Sequence, residues 1–157
     1  MIQYLQGDAT QPQTNGPAII AHVCNDAGLW GRGFVLAVSR RWRGPETVYR
    51  RWFKALKAAD DALGATQLIH VSRRLYVYNM VAQHGIRQAG GPPPIRYPVL
   101  RDCLGKLRSN AEQMGATVHM PRIGCGLAGG DWTKVEPLIQ SELSNHGIHV
   151  FVYDFPG

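Results

Sequence analysis

The stretch GCGLAGGDW, residues Gly124–Trp132, decides which folds the chain can adopt. Four of its nine residues are glycine, and it stands between TVHMPRI (117–123), typical of a buried strand, and WTKVEPLIQSEL (132–143), typical of a helix. In such a loop the backbone amides are unobstructed and can point at an anion, while the helix N-terminus adds partial positive charge. The stretch therefore predicts a phosphate-binding loop at the end of a strand.

Two other interpretations of these glycines stay open. The spacing of Gly124, Gly126 and Gly129 matches the dinucleotide fingerprint G-x-G-x-x-G, and Asp154 stands roughly where that fold places an acidic residue. A Rossmann domain, however, needs further βα units after its fingerprint, and only three residues follow Asp154. The other interpretation is that the glycines serve only to form a tight turn.

A second glycine loop, GLWGRGF (28–34), favours phosphate binding over a simple turn. It also stands between a predicted strand, PAIIAHV (17–23), and a predicted helix, FVLAVSRRW (34–42). The strand is apolar at almost every position, which is typical of a strand covered on both faces. Two such loops at the ends of neighbouring strands can grip a pyrophosphate from both sides.

Strands and helices alternate along the rest of the chain, which indicates an α/β fold with three layers. Further strands are predicted at 1–7, 65–71, 75–81 and 148–155, and further helices at 45–56 and 98–115. In the helix at 45–56, Val48, Trp52 and Leu56 share one face, which we expect to be buried. Residues 82–97 hold Gly-Gly and Pro-Pro clusters and are predicted to form a loop. We expect one domain over 1–157, an α/β/α sandwich with a mixed, mainly parallel sheet.

Composition and cysteine content argue against several classes of protein. Apolar residues make up 45% of the 157 residues, and no apolar run is long enough to span a membrane. The N-terminus lacks the basic and apolar segments of a signal peptide, so we expect a cytoplasmic location. Three cysteines without close pairing argue against a disulfide framework, and no zinc-binding spacing of Cys or His is present. We expect neither a bound metal nor a cofactor.

The formal net charge of +6 favours a phosphate-bearing partner, although charge alone decides little about its identity. Much of the positive charge lies in SRRWRGPETVYRRWFK (39–54), where the arginines can equally well solvate a helix surface.

Four stretches together resemble the macrodomain superfamily, whose members bind ADP-ribose across the carboxyl-terminal ends of the sheet strands. They are GDAT (7–10), AHVCNDAGLWGRGF (21–34), PRIGCGL (121–127) and VYDF (152–155), in the family's order and over nearly the whole chain. The chain most resembles the compact group that contains the terminal ADP-ribose protein glycohydrolase and the yeast ADP-ribose-1″-phosphate phosphatase. The pattern N-x-x-G-x-W-G-x-G, which runs here from Asn25 to Gly33, is especially similar to the yeast enzyme.

The resemblance implies an ADP-ribose site, residue by residue. Asp8, next to Ala9, would accept a hydrogen bond from the adenine amino group, and the aromatic rings of Tyr153 and Phe155 would flank the adenine. Asn25 would reach the hydroxyls of the distal ribose. The pyrophosphate would lie between two loops, formed by Ile123, Gly124, Cys125, Gly126 and Leu127 on one side and by Trp30, Gly31, Arg32, Gly33 and Phe34 on the other.

The chain departs from the glycohydrolase at the two positions that carry that enzyme's reaction. The position of its lysine falls at Gln83, and the position of its aspartate falls at Ala128. A covalent lysine mechanism is therefore excluded, and ADP-ribose binding without chemistry becomes an alternative. A phosphatase-type nucleophile at Cys125 is also disfavoured, because the arginine it needs six residues on is replaced by Asp131.

Other polar residues are candidates for a different hydrolytic route. We name Asn25, Gln83, His84 and Asp131 as candidate catalytic residues, with Asp26 close by in the sequence. Histidine exchanges protons near neutral pH, so His84 is the candidate general base. The sequence GGDWTK also favours Asp131 as an N-cap. His22 matches a histidine implicated in the yeast phosphatase, but a histidine on so apolar a strand is more often a buried core residue.

The function that these observations favour is removal of mono-ADP-ribose from glutamate-linked or aspartate-linked targets by a mechanism without lysine. Positioning the ribose and a water can suffice, because the anomeric carbon carries positive character in the transition state. The alternatives are a non-catalytic reader of ADP-ribose and a phosphatase acting on ADP-ribose-1″-phosphate. The expected partners are ADP-ribose and mono-ADP-ribosylated protein, with ADP-ribosylated nucleic acid kept open, and the protein is expected to be a monomer that binds no membrane.

Overall fold

The computed structural model describes residues 1–58, 61–86, 89–126 and 128–156. Strands and helices alternate through these residues. The strands are β1 (Ile2–Gln6), β2 (Ala18–Asn25), β3 (Thr66–Ser72), β4 (Leu75–Gln83), β5 (Thr117–Met120) and β6 (Val150–Asp154). The helices are α1 (Phe34–Arg41), α2 (Gly44–Ala55), α3 (Tyr97–Met114) and α4 (Trp132–Glu142), with a 3₁₀ turn at Ser144–His146.

The strands form one sheet in the order β1-β6-β5-β2-β4-β3. β3 runs antiparallel to β4, and the other neighbouring strands are parallel. The predicted α/β fold with a mixed, mainly parallel sheet is thereby confirmed. Because the carboxyl ends of the parallel strands meet at one edge, the two glycine loops that follow β2 and β5 come together there.

The side chains of β2 alternate between two cores, one on each face of the sheet. Ile19 and Ala21 belong to the core that α3 and α4 cover, where Leu104 and Ile139 are fully buried. Ile20 and Cys24 face the other core, which α1 and α2 cover. A strand that is buried on both faces is apolar throughout, which explains why its sequence carries no period-2 alternation.

The buried face of α2 agrees with the predicted one in part, since Trp52 packs against the core and Leu56 is half-buried. Val48 is 39% exposed, whereas Pro45 and Tyr49 are buried. Tyr49 therefore takes the buried position that was predicted for Val48. The cause is the Tyr49 hydroxyl, which bonds to the loop after β2 and so draws this ring, and not the Val48 side chain, toward the sheet.

Three strands end two or three residues away from the predicted position, and one of them, β2, continues to Asn25. β4 continues to Gln83, because the backbone of residues 95 and 96 pairs with its end: Gln83 bridges to Ile95, and the Arg96 amide donates to the Ala82 carbonyl at 3.0 Å. β5 ends at Met120, ahead of Pro121. No helix among the described residues is long and apolar enough to cross a membrane.

Two histidines lie deep in the fold, and burial lowers the pKa of each. His22 on β2 has a pKa of about 4, because desolvation outweighs a hydrogen bond from its ring to Asn79. His119 on β5 also has a pKa of about 4, through desolvation and the nearby His149. Both rings are therefore neutral at pH 7 in the folded protein.

These two histidines predict that the folded protein loses stability in mild acid. In the unfolded chain each titrates near 6.5, so the unfolded state binds more protons as the pH falls from there towards 4. Stability is fully present above about pH 6.5, and by pH 5 the free energy of unfolding should fall by about 2 kcal/mol per histidine. Urea unfolding at several pH values measures it. An unchanged free energy of unfolding over this range would contradict the assignment.

Candidate functional site

Three adjoining hollows form a cleft along the carboxyl-terminal edge of the sheet. The first, of about 450 Å³, lies between Asp8 and Tyr153 and is called the outer hollow. The second, of about 220 Å³, lies between the two glycine loops and is called the middle hollow. The third, of about 510 Å³, is walled by Asn25 and Trp30 and is called the far hollow. Residues shared between their walls make the cleft continuous: Phe34 and Pro121 join the outer to the middle hollow, and Val23, Arg32, Val35 and Gln83 join the middle to the far hollow.

The outer hollow gathers the four residues to which the sequence assigned the adenine. Asp8, Ala9, Tyr153 and Phe155 all line it, and the Phe155 ring is 72% exposed at its mouth. The Asp8 carboxylate is fixed by Thr10, whose amide and hydroxyl donate to one oxygen at 2.8 and 2.7 Å. The other oxygen lies 3.4 Å from Arg41. Burial acts to raise the pKa of Asp8, but the bonds from Thr10 and Arg41 prevail and lower it, so the side chain is an anionic acceptor at neutral pH.

A chain of hydrogen bonds holds the Tyr153 ring in the wall of the outer hollow. The Gln13 amide donates to the Tyr153 hydroxyl at 3.0 Å, and that hydroxyl lies 2.8 Å from Nδ1 of His119. The Thr117 hydroxyl donates to the Pro17 carbonyl at 3.4 Å, so it accepts from Nε2 of a neutral His119 at 2.7 Å and leaves Nδ1 to accept from Tyr153. This network was not predicted from the sequence, because its members are scattered along the chain.

The two glycine loops face each other across the middle hollow. Gly33 and Phe34 line one side, and Ile123, Gly124 and Gly126 line the other. Leu127, which the sequence placed here too, lies outside the described residues. Cys125 is half-buried, and desolvation raises the pKa of its thiol, so it is a neutral thiol and a weak nucleophile.

The fold requires some of the glycines in the loop after β5, but not all of them. Gly124 has a φ of 74°, and a Cβ there would lie 3.0 Å from Ile95. A Cβ on Gly130 would come within 2.4 Å of the Gly124 carbonyl oxygen. Gly126, by contrast, is exposed, and a Cβ on it would meet no atom within 4 Å. The fold therefore needs Gly124 and Gly130, whereas nothing within the described chain explains Gly126.

His22 presents an unused acceptor within the middle hollow. Its Nε2 lies 2.6 Å from the Asn79 side-chain oxygen, and the amide nitrogen of Asn79 donates to the Pro45 carbonyl at 3.2 Å. This orientation of Asn79 makes His22 the donor through Nε2, so its Nδ1 carries a lone pair. Nδ1 is buried and has no hydrogen-bond partner among the described residues, while the ring forms part of the wall of the middle hollow. A hydroxyl or water could satisfy it, whereas a phosphate oxygen could not.

In the far hollow the Asn25 side chain organises the loop that follows β2. Its oxygen accepts from the amides of Ala27 and Leu29 at 2.9 and 3.1 Å, and its nitrogen donates to the Leu29 carbonyl at 2.8 Å. One hydrogen of the Asn25 amide nitrogen remains for a ligand. Trp30, Gly31 and Arg32 complete this wall, where the Trp30 indole donates to Ser39 at 2.7 Å.

Tyr49 on α2 supports the loop that follows β2 and was not predicted as a site residue. Its hydroxyl donates to the Asn25 backbone carbonyl at 2.6 Å and accepts from the Gly28 amide at 3.1 Å. Gly28 has a φ of 76°, and a Cβ there would lie 2.5 Å from the Phe53 ring. The aromatic residues of α2 thus fix the loop's shape, a relation that the sequence spacing did not reveal.

Gln83 and His84 lie where β4 ends, beside the far hollow. Gln83 lines both the middle and the far hollow, and its side-chain nitrogen donates to the Gly85 carbonyl at 3.1 Å. Nδ1 of His84 lies 2.7 Å from the Asp26 carboxylate, whose second oxygen accepts from the Gly85 amide at 2.7 Å. The Asp26 side chain is only 11% exposed and that of His84 is 63% exposed. Asp26 therefore orients a solvent-accessible imidazole, a pairing that suits a general base.

Asp131 serves as the N-cap of α4. Its carboxylate accepts from the Thr133 amide at 2.9 Å and from the Thr133 hydroxyl at 2.7 Å. The Thr133 bonds lower the pKa of Asp131, as expected for a capping carboxylate. Of the four candidate catalytic residues, only Asn25 and Gln83 line the cleft. Asp131 and His84 line none of its three hollows, but His84 directly follows Gln83 at the end of β4.

Arg122 ties the loop that follows β5 to the end of β6. Its guanidinium bonds both oxygens of Asp154 at 2.7 and 3.0 Å and lies about 5 Å from the Tyr4 and Trp132 rings, at 5.1 and 5.2 Å. Asp154, which a Rossmann fold would use for a ribose, is engaged here with Arg122. Through this ion pair, Arg122 fixes the loop at 123–126 relative to Asp154 and the adjoining Tyr153.

The cleft has the attributes of a site for a nucleoside diphosphate derivative. It offers a hollow with an aromatic wall and an anionic acceptor, then a passage between two glycine loops, and then a second hollow of similar size. No protein-family model matches the chain.

The comparisons with known proteins identify the family. The chain is 49% identical to a macrodomain protein of Streptomyces coelicolor, whose structure superposes with a TM-score of 0.85 over 98% of this chain and 99% of that one. The chain belongs to the macrodomain family, as its sequence motifs predicted.

Two other relatives are less similar in sequence than the Streptomyces protein, and one of them is much longer than this chain. The chain is 33% identical to the chromodomain-helicase-DNA-binding protein 1-like of Mus musculus over 99% of this chain, but it spans only 18% of that protein's length. It is 25% identical to the ADP-ribose glycohydrolase OARD1 of Bos taurus over 97% of this chain and 90% of the relative.

Proposed function

We propose that this protein binds ADP-ribose in the cleft and hydrolyses mono-ADP-ribose from glutamate-linked or aspartate-linked targets without a catalytic lysine. The observation that carries the proposal is the order of the three hollows, which matches the order of adenosine, pyrophosphate and distal ribose in the ligand. The relationship to a protein named ADP-ribose glycohydrolase supports both the ligand and the reaction class.

The outer hollow takes the adenine. An exocyclic amino group can donate to the Asp8 carboxylate, which stays ionised because Thr10 and Arg41 bond it. The rings of Tyr153 and Phe155 offer apolar faces for stacking. An ionised acceptor at this position favours adenine over bases that present a carbonyl oxygen there.

The middle hollow takes the pyrophosphate. Backbone amides of the two loops supply donors, Arg32 and Arg122 line the same hollow, and Gly126 leaves room for an oxygen to approach the backbone. The buried Nδ1 of His22, in the wall of the same hollow, can accept a hydrogen bond from a ribose hydroxyl or an ordered water.

The far hollow takes the distal ribose, with its anomeric carbon towards Gln83 and the His84–Asp26 pair. Hydrolysis breaks the bond between the anomeric carbon and the acceptor's carboxylate oxygen, which leaves as a carboxylate. A water adds to the anomeric carbon and gives its proton to His84, which returns it to solvent. Asp26 stabilises the imidazolium that this transfer produces.

One pair of incubations tests this function. The protein is mixed separately with a glutamate-linked mono-ADP-ribosylated protein and with ADP-ribose-1″-phosphate. We expect release of ADP-ribose from the first and no phosphate from the second. Phosphate release from the second alone would overturn the proposal in favour of a phosphatase.

A non-catalytic reader of ADP-ribose is the second candidate. In the described part of the chain, the far hollow is lined by no lysine and no carboxylate. Its polar side chains are those of Asn25, Gln83, Arg32 and Arg50. ADP-ribose binding without release of product in either incubation would select this function.

We further expect ADP-ribose to bind without a divalent metal. Among the described residues, no three His, Cys, Asp or Glu side chains are grouped to hold a metal ion. The pyrophosphate charge is balanced instead by amide dipoles and helix N-termini. Calorimetric titration with and without EDTA should give the same dissociation constant. Loss of binding in EDTA would show that a metal takes part.

A further inference from the structure

The positive charge of the chain is concentrated in one segment beside the cleft. Residues 32–57 hold eight of the seventeen Lys and Arg residues but only one of the eleven Asp and Glu residues. This segment therefore carries a formal charge of +7, and the remainder of the chain carries −1, against a total of +6. The net charge is a local property of α1, α2 and the residues that flank them.

All eight basic residues of this segment are exposed. They are Arg32, Arg40, Arg41, Arg43, Arg50, Arg51, Lys54 and Lys57. Arg43, Arg50 and Lys54 follow one another at spacings of seven and four, which places them on one face of α2. In the described chain, only Arg41 and Arg50 of the eight form ion pairs, with Asp8 and Glu46.

This basic surface, defined as the exposed side of residues 32–57, continues into the cleft at both ends. Arg40 and Arg41 line the outer hollow, and Arg32 and Arg50 line the far hollow. A polyanion lying along α1 and α2 would therefore lie beside the cleft and could present an attached group to it.

The chemistry of the surface favours phosphates over carboxylates as the partner's charges. Six of the eight residues are arginine, whose guanidinium matches two phosphate oxygens at once. α2 has 12 residues and is about 18 Å long, so its basic face can follow several regularly spaced charges. A nucleic-acid strand offers such a row.

We propose that the basic surface of residues 32–57 binds the phosphate backbone of a nucleic-acid strand. Where that strand carries ADP-ribose, it would be the target presented to the cleft, and this part of the inference rests on the proposed function. Binding of the unmodified strand does not, because it needs neither the cleft nor hydrolysis.

The test is fluorescence anisotropy of the protein with a labelled, unmodified single-stranded DNA oligonucleotide. We expect binding that weakens with salt, with a slope of log affinity against log salt of about −2 if roughly three phosphates are contacted. The double variant Arg43→Glu, Lys54→Glu should weaken it at least about tenfold. Its ADP-ribose affinity should stay unchanged, because neither residue lines the cleft.

A matched control separates the surface from the net charge. Arg73→Glu, Lys134→Glu makes the same change in net charge at exposed positions outside the segment, and it should lower the affinity much less. Equal losses in both double variants would overturn the proposal. So would binding of a polyglutamate peptide but not of the oligonucleotide, which would indicate an acidic protein partner. The affinities for the unmodified oligonucleotide do not depend on hydrolysis. They would therefore be the same if the protein failed to release ADP-ribose in the incubations.

Discussion

Gly126→Glu is expected to weaken ADP-ribose binding about a thousandfold while leaving the melting temperature of the free protein nearly unchanged. A carboxylate at about 4 Å from the pyrophosphate in a partly screened site costs on the order of 4 kcal/mol. The free protein should tolerate the change, because Gly126 is exposed, its φ lies outside the left-handed range and its Cβ would meet no atom within 4 Å. Calorimetry with ADP-ribose and thermal unfolding of the free protein give the two readouts.

Two further variants separate charge from bulk and from position. Gly126→Gln adds similar bulk without charge and should weaken binding less than Gly126→Glu. Gly16→Glu adds the same charge at another exposed glycine with open space, outside the cleft, and should leave the affinity unchanged. A Gly126→Glu protein that binds normally but melts at a lower temperature would show that this glycine serves only the turn.

His84→Ala is expected to lower the rate of ADP-ribose release about a hundredfold, within the usual contribution of a general base. Its ADP-ribose affinity and melting temperature should change little, because the side chain is 63% exposed and lies outside the binding walls. The loss should appear in kcat and not in KM. Single-turnover release from glutamate-linked mono-ADP-ribosylated protein measures it.

The neighbouring positions supply the controls for this variant. Asp26→Asn should slow release less than His84→Ala, because the amide oxygen can still hold the imidazole or the Gly85 amide. His146→Ala removes another exposed histidine, in the 3₁₀ turn after α4, and should have no effect. A His84→Ala protein as fast as the unsubstituted one would remove His84 from the mechanism.

The sequence predicted the fold well because local signals and the global arrangement agree. A strand as apolar as 17–23 must be covered on both faces, and glycines between strand and helix indicate loops at the carboxyl edge. On α2 the helical period misplaced Val48, because the neighbouring Tyr49 is held by a hydrogen bond to Asn25, which lies far away in the sequence.

The sequence was sufficient to predict two parts of the candidate site, namely the two glycine loops and the residues assigned to the adenine. Asp8, Tyr153 and Phe155 stand in recognisable motifs, and the structure brings them together around the outer hollow. The orienting partner of His84 required the structure, because Asp26 and His84 are 58 residues apart and meet only where the ends of β2 and β4 adjoin. The orphaned nitrogen of His22 likewise depends on the rotamer of Asn79, which no sequence pattern states.

A crystal structure of the protein with ADP-ribose would show directly whether the cleft holds the ligand in the proposed order. We expect the adenine in the outer hollow, with its amino group on Asp8, and the pyrophosphate between Gly33 and Gly126. The distal ribose should then lie in the far hollow, beside Gln83. ADP-ribose bound elsewhere would contradict the account, for example in the open depression between Arg101 and Glu142. So would a ligand lying in the cleft in the reverse direction.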